Sequence, residues 1–137
     1  MTTLLVDEQD NFYLFGYNSS YNFLRYFKFD AAGTLIKKNG QSDYLLAGQA
    51  FFNDKGEIIV SGRIDGGGLT TYGGIYVFDK NLNIKSKTYY KDIPSHVFSS
   101  VTGNSDGSYN IFLHYMQTYS YENPNFVFIK TDTDGKM

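Results

Sequence analysis

Residues 4–20 read LLVDEQDNFYLFGYNSS: an apolar run, an acidic turn, then a second run of apolar and aromatic residues. The same order returns in QAFFNDKGEIIVSGRID at 49–65 and in VTGNSDGSYNIFLHYMQ at 101–117. A second module follows each of them: FLRYFKFDAAGTLIKK at 23–38, GGIYVFDKNLNIKSK at 73–87 and NFVFIKTDTDGKM at 125–137. Phe12, Leu14 and Gly16 alternate with Tyr13, Phe15 and Tyr17, so both faces of that strand carry apolar bulk. A strand lying between two neighbouring sheets needs that pattern. Glu57 to Gly62 and Tyr109 to Tyr115 read the same way.

Phe12, Glu57 and Ser108 start equivalent strands and Asp30, Asp79 and Asp132 end equivalent strands. The repeat of roughly 45 to 50 residues is the size of a four-stranded β-propeller blade. Strand A of each blade is expected at about 3–8, 48–53 and 98–103, and strand B at about 12–18, 57–64 and 109–116. Strand C is expected at about 22–30, 74–79 and 125–132, and strand D at about 34–38 and 84–90. Asp10-Asn11, Asp54-Lys55-Gly56 and Asp106-Gly107 supply the A–B turns. Ala31-Ala32-Gly33, Lys80-Asn81-Leu82-Asn83 and Thr133-Asp134-Gly135 supply the C–D turns. These are residues that tolerate positive φ in tight hairpins. The expectation is an all-β chain with almost no helix, the best candidate for a helical turn being Tyr89 to His96, limited by Pro94.

Blades at about 3–39, 47–90 and 97–137 fill a single domain, 1–137, and the last lacks its outer strand because only Lys136 and Met137 follow its final turn. Three blades fall below the usual minimum of about four for a closed ring. The reading is therefore a partial propeller, completed by missing blades of a longer chain or by a homodimer that makes a six-bladed ring.

Composition supports strands: 13 Tyr and 12 Phe, no Trp, and only 2 Pro. A formal charge of −2 with both signs interspersed offers no basic stripe, which argues against nucleic acid and against an anionic membrane surface. No segment has the length for insertion into a membrane as a helix, and MTTLLVDEQDN lacks the basic start and apolar stretch of a signal peptide. With no cysteine, disulfide scaffolds, thiolate metal sites and cysteine nucleophiles are excluded.

The string VDEQDNFYLFGYNSS and the K-F-D-A-A-G turn after it resemble bacterial propeller repeats of the SBBP type. In those repeats a D-x-x-G-N-x-Y-x-x-G-Y/T-x-S stretch precedes a K-x-D/N-x-x-G turn. DKGEIIVSG, DGSYNIFLHY, VFDKNLN and IKTDTDG match more loosely, and Leu113-His114 stands where the family would have Gly. Kelch repeats are a weaker second relative through GGIYVFDKNLN, without their usual Gly-Gly and Trp. The resemblance implies blades and an extracellular or cell-envelope setting. It implies no chemistry.

Propeller topology would put the B–C loops (19–21, 65–73 and 117–124) and the D–A loops on one face, the usual ligand surface. Tyr17, Asn18, Tyr21, Arg63, Asp65, Tyr72, Tyr115, Gln117, Tyr119 and Tyr121 would gather there. A tyrosine ring can stack on a sugar while Asn, Gln, Arg and Asp bond its hydroxyls, which points to a glycan or a protein surface as partner. The competing readings are a purely structural repeat of a larger envelope or particle assembly, and a carbohydrate-active propeller enzyme. The enzyme needs paired carboxylates or a metal, and Asp65 and Glu122 are the only carboxylates in the B–C loops.

No catalytic residue, metal site or cofactor is read from the remaining motifs. Asp132-Thr133-Asp134-Gly135 has the opening of a calcium loop without its distal ligands, and a hairpin turn explains it. Asp10, Asp54 and Asp106 read as Asx-type turn residues. His114 reads as packing between blades or at a strand end, and Gly66-Gly67-Gly68 as a flexible loop. Asn18-Ser19-Ser20 fits the glycosylation acceptor pattern, with nothing in the chain arguing for a secretory eukaryotic setting.

Overall fold

The computed structural model describes residues 3–18, 23–40, 45–65, 71–94, 100–115, 125–133 and 135–137. Eleven strands run β1 (Thr3–Val6), β2 (Phe12–Asn18), β3 (Phe23–Phe29), β4 (Leu35–Gly40), β5 (Leu45–Phe52), β6 (Ile58–Asp65), β7 (Thr71–Phe78), β8 (Ile84–Pro94), β9 (Val101–Gly103), β10 (Tyr109–Tyr115) and β11 (Asn125–Lys130). They form three antiparallel sheets: β1-β2-β3-β4 (sheet 1), β5-β6-β7-β8 (sheet 2) and β9-β10-β11 (sheet 3). Each is a meander of sequence neighbours, and none closes on itself. Among the described residues there is no helix.

Most strand boundaries differ from the sequence reading by one to four residues, β5 starting at Leu45 rather than 48 and β7 at Thr71 rather than 74. The equivalent second strands start at Phe12, Ile58 and Tyr109, so two of the starts fall one residue after Glu57 and Ser108. Those two residues instead close turns. The helical turn expected from Tyr89 to His96 is not formed over its described part: β8, at the edge of sheet 2, continues to Pro94 with one irregularity in its pairing with β7, between Tyr90 and Pro94. That edge position lets Pro94 end the strand without breaking a central ladder. Residues 95–99, and with them His96 and most of the expected strand at 98–103, lie outside the described residues.

Among the described residues six turns share one design, five joining hairpins and the sixth following β11. In each, a first Asp or Asn donates its backbone N–H to the carbonyl of the residue four places on, and its own carbonyl accepts the N–H of the fourth residue, all at 2.8–3.1 Å. The first residues are Asp7, Asp30, Asn53, Asp79, Asn104 and Asp132. The fourth has positive φ in every case: Asp10, Gly33, Gly56, Leu82, Gly107 and Gly135. The first side chain then accepts from the backbone inside the loop. Asp30 Oδ1 takes Ala32 N and Thr34 N at 3.0 and 2.8 Å, and Asp79 Oδ1 takes Asn81 N and Asn83 N at 2.8 Å each. Asp132 Oδ1 takes Lys136 N at 2.8 Å, so the turn accounts for that carboxylate. In five of these turns the acceptor is the opening residue, and in the turn opened by Asn104 it is the third residue instead. Of the three aspartates singled out within the A–B turns, Asp106 is that third-residue acceptor, taking Ser108 N at 2.9 Å.

Leu82 occupies the left-handed region without being glycine (φ 58°). That backbone costs a leucine about 1–2 kcal/mol, while burying the side chain contributes about 2–3 kcal/mol. Leu82 is fully buried between sheets 1 and 2, so burial outweighs strain.

The sheets stack face to face. Tyr13, Phe15, Leu24 and Tyr26 of sheet 1 meet Ile58, Val60, Tyr76 and Phe78 of sheet 2 in one core. The other face of sheet 2, Ile59, Ile75, Val77 and Tyr90, meets Val101, Tyr109, Ile111 and Ile129 of sheet 3 in a second core. Phe15, Val60 and Ile111 are buried between sheets, as the alternation of both faces requires.

Candidate functional site

All six turns lie at one end of the sheets, and the strand ends that lead into the loops expected to carry the site lie at the other. Tyr21, Gln117, Tyr119 and Tyr121 fall outside the described residues. Asn18, Asp65 and Tyr115 are located by backbone only, opposite Phe23, Thr71 and Asn125 at the loop ends of their strands. Tyr17 pairs with Leu24 at the loop end of β2 and is half-exposed. Arg63 and Tyr72 lie on neighbouring strands but opposite faces. Tyr72 pairs with Ile64 and packs toward sheet 1, while Arg63 pairs with Gly73 and faces the side of sheet 3.

Around Tyr72 the chain builds a cluster that the sequence reading lacked. Tyr72, Gly74 and Tyr76 share a face of β7, and Tyr89 of β8 pairs with Gly74 between the two tyrosines. The Tyr89 ring stands edge-on to both, 6.3 Å from Tyr72 and 6.2 Å from Tyr76, in the T-shaped geometry that ring quadrupoles favour. The Tyr76 and Tyr89 hydroxyls bond at 3.2 Å. Lys91 Nζ lies 5.9 Å from the centres of both Tyr72 and Tyr89, and Lys87 Nζ lies 5.1 Å from that of Tyr76, within cation–π range. A Cβ at Gly74 would lie 2.3 Å from Ile64 Cδ1, so any larger residue there would displace the end of that side chain. Tyr89 keeps 37 % of its surface exposed. The cluster therefore offers an apolar ring edge, hydroxyls and ammonium groups side by side.

At the turn end, Asp7 Oδ1 accepts Gln9 N and Asn11 N at 3.0 and 2.9 Å, and Asp7 Oδ2 accepts Asn11 Nδ2 and the Tyr13 hydroxyl at 3.0 and 2.9 Å. The same hydroxyl lies 3.2 Å from the Lys80 carbonyl of sheet 2, which also receives Lys28 Nζ at 2.9 Å. With one proton, Tyr13 serves the nearer, charged acceptor and leaves Lys80 O to Lys28. Desolvation alone would raise Asp7, but the hydrogen bonds from Asn11, Tyr13 and Gln9 outweigh it and hold its pKa at about 2. Burial and the Asp7 carboxylate together push the Tyr13 phenol well up. Glu57, bonded to Lys85 and Asn53, is lowered mainly by Lys85.

Asp7 is thus depressed below its ordinary 3.8. Its contribution is complete above that value and is lost as pH falls from about 4 to about 2, about 2 kcal/mol in all. Asp7→Asn keeps the turn geometry, since Asn53 and Asn104 hold the same position. The variant is expected to flatten the acid limb: urea midpoints of the two proteins should converge between pH 5 and pH 2. Parallel curves over that range would exclude the role.

Between the first turns of sheets 2 and 3, a cleft bordered by Phe52, Asp54, Asn104 and Tyr109 holds about 100 Å³. That is room for a few waters, against the roughly 300 Å³ that a small-molecule site needs. No group of three or more His, Asp or Glu side chains suited to a metal occurs among the described residues. No protein-family model matches the chain, and no curated protein matches it as a relative.

Proposed function

We propose that the three sheets are blades of a β-propeller and that the chain is a non-enzymatic binding or scaffold module, recognising a glycan or a protein surface through the loop end of its blades. The supporting observation is the Tyr72–Tyr76–Tyr89 cluster, in which Tyr89 is exposed, Tyr72 partly so and Tyr76 buried beneath them, with Lys91 beside the rings of Tyr72 and Tyr89. A ring edge packs on the C–H face of a sugar or on an apolar side chain, and the ammonium favours a ligand bearing negative charge. Arrayed neutral and acidic glycans provide the test. Binding without turnover, weakened about 5- to 10-fold by Tyr89→Ala, is the expected result. Hydrolysis of a bound glycan, abolished by Asp65→Asn, would replace this reading with the enzyme.

A second reading, a structural repeat of a larger assembly, is favoured by the apolar residues exposed on the outer faces of sheets 1 and 3, Leu4, Val6, Phe112 and Phe128. It requires Tyr72→Ala and Tyr89→Ala to leave every binding activity intact.

A further inference from the structure

Sheet 3 presents on its free face the same pattern that sheet 1 buries against sheet 2. In sheet 1, Phe15 pairs across the strands with Tyr26 and Tyr13 pairs with Lys28. In sheet 3, Phe112 pairs with Phe128 and Asn110 with Lys130. The two aromatic pairs have nearly the same separation, 6.2 and 6.3 Å. Their environments differ. Phe15 and Tyr26 are 0 % and 1 % exposed because Phe78 of sheet 2 sits 5.5 and 5.0 Å from them, whereas Phe112 and Phe128 are 44 % and 62 % exposed. Lys28 completes the first junction by donating to Lys80 O in the second turn of sheet 2, and Lys130 is exposed.

The complementary half of such a junction exists on the free face of sheet 1. Ile58 opposite Phe78 and Val60 opposite Tyr76 form the receiving face of sheet 2. Phe12 opposite Phe29 and Leu14 opposite Phe27 occupy the same register in sheet 1. Phe27 and Phe29 stack at 6.4 Å. The receiving turn is present too. Leu82 and Gly135, fourth residues of the second turns in sheets 2 and 3, are buried by the preceding sheet, while the equivalent Gly33 is exposed with nothing within 4 Å of its Cβ position. In sheet 3 that cover comes from Tyr90, whose hydroxyl donates to Gly135 O at 2.7 Å.

We propose that the free face of sheet 3 docks on the free face of sheet 1 of a second copy of this chain, head to tail. Phe112 and Phe128 then seat against the partner's Phe29, and Lys130 donates to the carbonyl of the partner's Ala31, the counterpart of Lys80. Two copies closing by two such contacts make a ring of six sheets, within the four-to-eight range of closed arrays. The contact does not depend on what the tyrosine cluster binds.

The test uses the whole chain, which has no cysteine of its own. Lys130→Cys and Ala31→Cys variants are prepared separately, mixed and treated with a short bis-maleimide. A two-chain product from the mixture, with little from either variant alone, is expected. Light scattering of the wild type should give twice 15.6 kDa. Phe128→Asp, at a position exposed in the single chain, should keep the β-sheet circular dichroism and weaken association about 10-fold or more. A wild-type chain that stays monomeric at 100 micromolar (about 10⁻⁴ M, well above the Kd of a stable dimer), or cross-links formed only between like variants, would overturn the proposal.

Discussion

Replacing Phe78 with alanine is expected to destabilise the chain by about 3–5 kcal/mol, the range for removing a fully buried phenylalanine. Phe78 is the ring on which sheets 1 and 2 meet, 5.5 Å from Phe15, 5.0 Å from Tyr26 and 6.3 Å from Tyr76. Its removal loses the transfer free energy of the ring and leaves a cavity lined by residues of two sheets, whose backbones are held by their own ladders and cannot collapse inward. Small domains are stable by about 5–15 kcal/mol in all, so this one change consumes a third or more of it. Ile36→Ala, on the exposed surface of β4, should stay within about 0.5 kcal/mol. Urea unfolding followed by circular dichroism compares the two, and equal losses would mean that sheet 1 does not fold against sheet 2.

Gly62→Ala should be almost as damaging, at about 3 kcal/mol or more, although it adds a single methyl group. A Cβ at Gly62 would lie 2.3 Å from the Leu46 carbonyl oxygen and 2.9 Å from Leu45 Cδ1. The first of these is backbone of the paired strand, next to the irregularity between Ala47 and Gln49, and can yield only by moving β5. Gly103→Ala is the comparison, because its Cβ would meet only the far edge of the Phe51 ring at 3.3 Å. The same unfolding measurement separates them. A Gly62→Ala protein as stable as the wild type would show that β5 and β6 are farther apart than described.

Much of this fold was legible in the chain. The turns announced themselves because four of the six place glycine at the position of positive φ, and the two-faced apolar strands required sheets on both sides. Asp10 and Leu82 were less readable. Neither residue type demands positive φ, and burial, which is a property of the packed state, decides the case of Leu82. The site was harder still. Tyr72 and Arg63 appeared to belong together, but pairing of Tyr72 with Ile64 puts them on opposite faces. Tyr89 stands opposite Gly74, between Tyr72 and Tyr76, because β8 slips against β7 by one residue between Val77 and Phe78. No pattern in IKSKTYY sets that slip, since it depends on which partner residues each backbone group finds.

The shared turn design has an evolutionary consequence. In the turns opened by Asp7, Asp30, Asn53 and Asp79 two positions carry the design, the opening Asp or Asn and the fourth residue. The second and third, such as Glu8-Gln9, Ala31-Ala32 and Lys80-Asn81, contribute backbone to the turn and differ in charge from one turn to the next. The charge of these four turns can therefore drift from acidic to neutral to basic under selection for new surroundings, while the hydrogen bonds that hold their hairpins stay the same; the turn of Asp106 lacks that freedom.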